Sequence, residues 1–442
     1  MKHLSLLVGS SMFALSQGCV VNDTGPQTLD CSAPDGPRVV LTQLDGTTRE
    51  LPEIAAATSA ATATTVDLSD AAGTLRVCPG KYHVNLHNIQ QTLTIEGLGT
   101  ERSDTELVGD ATRNATYGER AVLQLGGDTA SLLLKNLVIR DGISPWGGGI
   151  SSRKPGQRVA VDNVLFQDNT SVGSGQALGG AIFAAGELTV TNSNFVHNET
   201  YDGGGAIYAL GPLNIGQSSF SQNRSRTGGA VLAVHGPVEI LDTEFTDNHA
   251  YDGGGALEID DASAALHNVL AVHNRADHYG GALAAWGSKL AISNSTLNAN
   301  TAMAGGALYF AGVTAMIVDG GIDNNTANSL VYGFDNWRGG AMYATASDVS
   351  FTRTSIAANA GGNGFAFYLT NEGAVPISIG ATKVTLDNCD FGLNQAPGQL
   401  PDVRSGAVAN RQTEPSLFTP NMTPTNTVIS FSCDARACSQ TK

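Results

Sequence analysis

The sequence predicts an all-β chain wound as a single-stranded right-handed parallel β-helix of about eleven rungs. Three observations predict it. A motif recurs about every 25 residues. Apolar residues alternate within each copy. The repeat contains no helical stretch and is rich in glycine, of which the chain has 53 in 442 residues.

The recurring motif is Gly-Gly-Ala, which starts at Gly179, Gly204, Gly228, Gly254, Gly280, Gly305 and Gly339. The spacings are 25, 24, 26, 26, 25 and 34. Each copy opens a period-two pattern, the signature of a strand. Its inward pairs run Ile182/Ala184, Ile207/Ala209, Val231/Ala233, Leu257/Ile259, Leu283/Ala285, Leu308/Phe310 and Met342/Ala344. The positions between are Phe183, Tyr208, Leu232, Glu258, Ala284, Tyr309 and Tyr343, a mixed set expected on the solvent side.

A second marker, apolar-x-x-Asn, closes each unit, as in Phe195–Asn198, Phe220–Asn223 and Phe245–Asn248. Only the unit ending at Asn274 carries Ala271 in the apolar slot. A second strand precedes each marker, with inward pairs such as Leu188/Val190, Leu213/Ile215 and Val384/Leu386; Leu132/Leu134 and Leu93/Ile95 extend the series upstream.

Such a unit cannot bury its own apolar face, but stacked copies can. Rungs ~4.8 Å apart make a rod of roughly 50 Å. The glycines are expected where φ is positive or space is short. The asparagines are expected to hydrogen-bond to one another along the axis. A propeller blade needs ~40–50 residues and a leucine-rich repeat needs a helical half; neither fits.

Gly-Gly-Ala-(Ile/Leu/Val) alternating with Phe-x-x-Asn resembles the repeat of the chlamydial polymorphic outer membrane proteins, within the pectin-lyase-like β-helix superfamily. The resemblance covers Trp146 to Asn394. It implies a surface-exposed passenger with an adhesive role. This sequence departs from that family in having no ~10-residue alternating strands of a membrane barrel after Asn394.

Met1–Gly18 reads as an export signal: Lys2, an apolar run from Leu4 to Leu15, and Ser16-Gln17-Gly18 before Cys19. Cys19 resembles the lipidation site of bacterial lipoproteins, with Ser16 where Leu is usual. It would tie the chain to a membrane surface. Plain secretion is the alternative. No stretch reaches the ~18–20 apolar residues of a spanning helix. Cys31 with Cys78, and Cys433 with Cys438, are disulfide candidates, which leaves Cys389 odd. The domain reading is 1–18 signal, 19–74 linker and cap with a short helix over Glu53–Ala61, 75–395 β-helix, and 396–442 tail. Leu75–Ile95 reads as two strands around Pro79-Gly80. The tail is irregular except for a strand-like run, Thr427–Phe431.

The net charge is −16, which argues against nucleic acid as a partner. The sequence lacks the carboxylate and basic sets of polygalacturonases and pectate lyases. Glu258 and Asp260-Asp261 are the best carboxylate candidates, but the neighbours Leu232 and Ala284 add nothing acidic. Asp202 and Asp252, two rungs apart, are cation candidates that a turn role explains equally well. His197 and His273 share one column, and Glu199, Arg224, His249 and Arg275 read as a charge ladder on a solvated face. Phe183, Tyr208, Tyr309 and Tyr343 form an outward aromatic strip suited to sugar rings.

The expectation is therefore an exported, lipid-anchored, non-catalytic protein of the outer membrane or cell surface. Its partners would be glycans or other cell-surface ligands, and no cofactor is called for. A secreted polysaccharide lyase or glycoside hydrolase, and a purely structural envelope protein, are the alternatives. Ile207→Asp is expected to be severely destabilising and Glu258→Ala to be near neutral.

Overall fold

Period-two strands joined by tight corners stack here into a parallel β-solenoid of about ten turns. The computed structural model describes residues 29–32, 38–56, 63–110, 120–173, 176–328, 338–361, 366–370, 382–390 and 428–432. Among them the one helical element is a short 3-10 turn, Arg102–Asp104. The signal segment, Cys19, Cys433 and Cys438 lie outside the described residues.

Each turn has three strand columns. The first face holds the strands before the Asn markers, such as Glu187–Thr191, Leu213–Gly216 and Val238–Thr246. The second is a column of two-residue strands, such as Arg224–Ser225 and His249–Ala250. The third holds the strands after Gly-Gly-Ala, including Ile207–Ala209, Val231–Val234, Leu257–Asp260, Leu283–Trp286 and Leu308–Ala311.

Pairing is parallel and in register. Leu188 pairs with Leu213, Leu213 with Val238, and Val238 with Ala264. Every inward residue named above is buried. Phe166, Phe195, Phe220 and Phe245 stack with ring centroids 4.8, 4.6 and 4.9 Å apart. Ala271 continues that column where the rings stop.

The buried asparagines form a continuous ladder. From Asn169 through Asn198, Asn223, Asn248, Asn274, Asn300 and Asn325 to Asn359, each Nδ2 donates to the next Oδ1 at 2.9–3.1 Å. The residue before each Asn turns the corner in the left-handed region: His197, Gln222, Asp247 and His273 have φ of 53–56°. The two histidines thus share a column for backbone reasons.

The Gly pair does two jobs. Gly254 has φ +62°, and a Cβ there would lie 2.2 Å from the Leu257 carbonyl oxygen. At Gly255 a Cβ would lie 2.0 Å from the Gly281 carbonyl oxygen in the next turn.

At the N-terminal end, Val39–Gln43 pairs antiparallel with Thr48–Glu50 and with Gly73–Val77. Cys78 and Pro79 lie between Gly73–Val77 and Gly80–Ile89, the second strand opening at Gly80. The expected capping helix is corrected over residues 53–56. Residues 53–56 form a turn ending in an antiparallel bridge from Ala56 to Tyr82, and residues 57–61 lie outside the described set. Leu51 and Ile54 in this stretch are buried in the core. Cys31 and Cys78 are disulfide-bonded, and Cys389 is a free, half-buried thiol. In the tail, Val428–Ser432 adds a parallel strand onto Lys383–Asp387.

Candidate functional site

The outward side of the third face is where the chain departs most from the simple in/out pattern. Its middle positions are not a solvated face. Phe183, Leu232, Glu258, Ala284 and Tyr343 are buried, and Tyr208 and Tyr309 are half-buried. The cause is the loop that leads into each strand. Its residues form their own parallel ladder beside the strands: Leu178 to Gly203 to Thr227, then Gly253 to Tyr279 to Ala304 to Arg338. This ridge leans over the outward side chains. A Cβ on Gly203 would lie 2.6 Å from Leu232 Cδ2.

Aromatic residues fill much of the sheltered strip. Phe183 stacks on Tyr208 at 5.5 Å. Tyr309 stacks on Tyr343 at 5.0 Å, and Tyr343 on Tyr368 at 5.2 Å. Tyr279 from the ridge and Trp286 from the strand join Tyr309 at 4.6 and 5.5 Å. Of the four expected strip residues, Phe183 and Tyr343 are therefore packing residues. Tyr208 and Tyr309 keep partial exposure, shared with Tyr279, Trp286 and Tyr368.

The last three were not singled out from the sequence. Trp286 sits two residues beyond Ala284, on the same side of a strand. That period-two step was the signal for it. Tyr279 is on the ridge, which periodicity does not reveal. Tyr368 belongs to a turn without Gly-Gly-Ala.

Two carboxyls interrupt the strip. Glu258 pairs with Leu232 on one side and Ala284 on the other; Asp260 pairs with Val234 and Trp286. Among the described residues Glu258 Oε2 and Asp260 Oδ1 are buried without a hydrogen-bond partner. Burial raises the Glu258 carboxyl well above the usual range, and the charges of Asp260 and Asp252 add to it. Burial, with Asp261 beside it, pushes Asp260 up to about 6. Burial also raises the Tyr309 phenol. Glu258 is therefore not the solvated surface residue expected, and near-neutrality of its removal is withdrawn.

The other expected sites are dispersed. Asp202 accepts from the Ala177 backbone N–H at 2.8 Å, toward the preceding turn. Asp252 faces His278 Nδ1 at 3.2 Å, toward the following one. Their side chains are thus engaged in opposite directions. Glu199, Arg224, His249 and Arg275 do stack in one column. His249 is half-buried and meets Asp277 at 3.1 Å; burial lowers its pKa.

No protein-family model matches the chain, and no curated protein matches it in sequence. Among solved structures, the A-module of the mannuronan C-5 epimerase AlgE6 of Azotobacter vinelandii is similar. It shares 11% identity at a TM-score of 0.32, covering 82% of this chain and 90% of that one. At this level of likeness nothing about its activity passes to this chain.

Proposed function

We propose that the protein is an exported solenoid that holds an extended neutral glycan along the outward side of its third face. The observation that carries this reading is the row of half-exposed aromatics, Tyr208, Trp286, Tyr309 and Tyr368, on one side of one strand column. Aromatic faces stack on the C–H faces of sugar rings, and their own stacking fixes them in place beforehand. The net charge of −16 and the local carboxyls disfavour a polyanion.

The test is retention of the full chain on a panel of neutral polysaccharides, comparing wild type with Tyr309→Ala and Trp286→Ala. Lost retention is expected in both. Unchanged retention in both would remove the strip from the binding face.

Export is supported by the Cys31–Cys78 disulfide, which belongs in an oxidising compartment. Attachment through a lipidated Cys19 is part of the proposal and rests on the sequence alone. The mass of the mature N-terminus, beside that of Cys19→Ala, tests it: a diacylglyceryl increment supports the anchor, and an unmodified terminus removes it.

A further inference from the structure

The rings of the sheltered strip do not all have a face to offer. Tyr309, Tyr343 and Tyr368 occupy one slot in successive turns. Their rings stack on one another at 5.0 and 5.2 Å, with planes 9° and 13° apart. Phe183 and Tyr208 do the same at 5.5 Å and 4°. These separations follow the spacing of the turns, ~4.8 Å. The ring planes therefore stand across the rod axis, their faces turned to one another and their edges outward.

Trp286 breaks that arrangement. Its indole is inclined 42° to Tyr309 and 87° to Tyr279. Its far edge reaches back to the ridge of the preceding turn, where a Cβ on Gly253 would lie 2.9 Å from Trp286 Cη2 and 3.7 Å from Ala284 Cβ. Ala284 is fully buried although it points away from the core. Gly253 is not among the residues of positive φ, so the glycine provides space there and not a backbone angle. The indole thus crosses from its own strand over Ala284 into the gap at Gly253. Half-exposed, it keeps one side on the protein and turns the other outward.

We infer that the ligand is an extended β-1,4-linked chain of all-equatorial neutral pyranoses, a glucan or a xylan, lying along the rod with Trp286 as its stacking position; the inference rests on the glycan-binding reading above. Pairing from Leu257–Asp260 through to Phe367–Thr370 is in register at every turn, which makes the strip straight. A β-1,4-linked glucan or xylan is also straight and advances by about one turn spacing per sugar. Glucans linked α-1,4 or β-1,3 coil, and the axial linkage of a β-1,4-galactan bends its chain, so each leaves a straight strip after a few units. Successive units of a β-1,4 chain are flipped, so both faces of the sugar meet the protein in turn. Glucose and xylose carry C–H groups on both faces. Mannose sets an axial 2-hydroxyl on one of them, and an indole face gives that hydroxyl no hydrogen-bond partner.

The experiment is affinity electrophoresis of the full chain through gels holding soluble β-1,4-glucan, β-1,4-xylan, β-1,4-mannan, β-1,4-galactan, α-1,4-glucan or β-1,3-glucan. Wild type is expected to bind the first two about 10-fold more tightly than the others. Trp286→Ala is expected to lose about 10-fold on the β-1,4-glucan, the worth of one aromatic stack. Gly253→Ala, which leaves the indole in the chain but fills its gap, is expected to weaken binding in the same direction. The β-1,4-glucan is also expected to change the tryptophan fluorescence of wild type, and Trp286→Phe to lose that change. Thermal melting accompanies each variant; should Trp286→Ala fail to fold, Trp286→Phe decides the outcome. Equal or tighter binding of the mannan, the galactan or a coiled glucan, or a fluorescence change that survives in Trp286→Phe, would overturn the inference and leave glycan binding standing. Retardation by none of the polymers would overturn both.

Discussion

Leu232 and Glu258 are direct partners in adjacent parallel strands, and each is only 6% exposed. One position in the lattice, sheltered to the same degree, thus holds an aliphatic group in one turn and a carboxyl in the next.

That relationship fixes a pH dependence. An unfolded Glu loses its proton near pH ~4.3. The folded pKa of Glu258 is raised, so its contribution is complete below that pH and is lost as pH rises toward the folded value. Asp260 adds a loss of the same sign between 3.8 and about 6, at most about 3 kcal/mol. Glu258→Gln and Glu258→Leu are expected to flatten the fall of the melting temperature between pH 4 and pH 8, and to melt above wild type at pH 8. Parallel curves for variant and wild type would contradict the burial of this carboxyl.

The asparagine ladder predicts a steep cost for one deletion. Asn248 Oδ1 accepts from the Asn223 backbone N–H and Nδ2, while its own Nδ2 donates to Phe220 O and Asn274 Oδ1. Asn248→Ala removes four buried hydrogen bonds, although Asn274 Oδ1 keeps the Asn248 backbone N–H and Asn223 Nδ2 keeps Phe195 O, and is expected to cost about 3 kcal/mol or more. Denaturant midpoints measure it. A loss under about 1 kcal/mol would mean that water or a neighbour replaces the amide.

Two glycines separate backbone strain from crowding. Gly254→Ala meets both a φ of +62° and the Leu257 carbonyl oxygen. Gly46→Ala meets a φ of +84° with nothing within 4 Å. The exposed Gly46 variant is expected to lose about 1 kcal/mol, the strain alone. The Gly254 variant is expected to lose several times that. Equal losses would show that the repeat glycines serve only the backbone angle.

The Cys31–Cys78 disulfide spans 47 residues. Loop closure on that scale is worth roughly 4 kcal/mol. Cys31→Ser is expected to lower the melting temperature, and reductant is expected to do the same to wild type but not to the variant.

The inward lattice was legible in the sequence because it repeats. Ile207, Val231 and Leu257 occupy one slot in successive turns, and each is buried. The asparagines were legible for the same reason. The outward side of the third face was not. Period two says only that Tyr208 and Glu258 point away from the core. Whether that side meets water depends on the ridge through Gly203, Gly253 and Tyr279, which has no period-two signal of its own. Over residues 53–56 the local structure was not legible either: Leu51 and Ile54 are buried, and the stretch ends in the bridge from Ala56 to Tyr82. Cys31 and Cys78 were paired correctly as candidates, whereas the aromatic strip changed membership once burial was known.

The third face carries a sheltered carboxyl, Glu258, whose hold on its proton burial raises well above the usual carboxyl range. Difference infrared spectra of wild type and Glu258→Gln at pH 7 test it most directly. Wild type is expected to show a protonated carboxylic acid band that the Gln variant lacks. A difference spectrum containing only ionised carboxylate would contradict it.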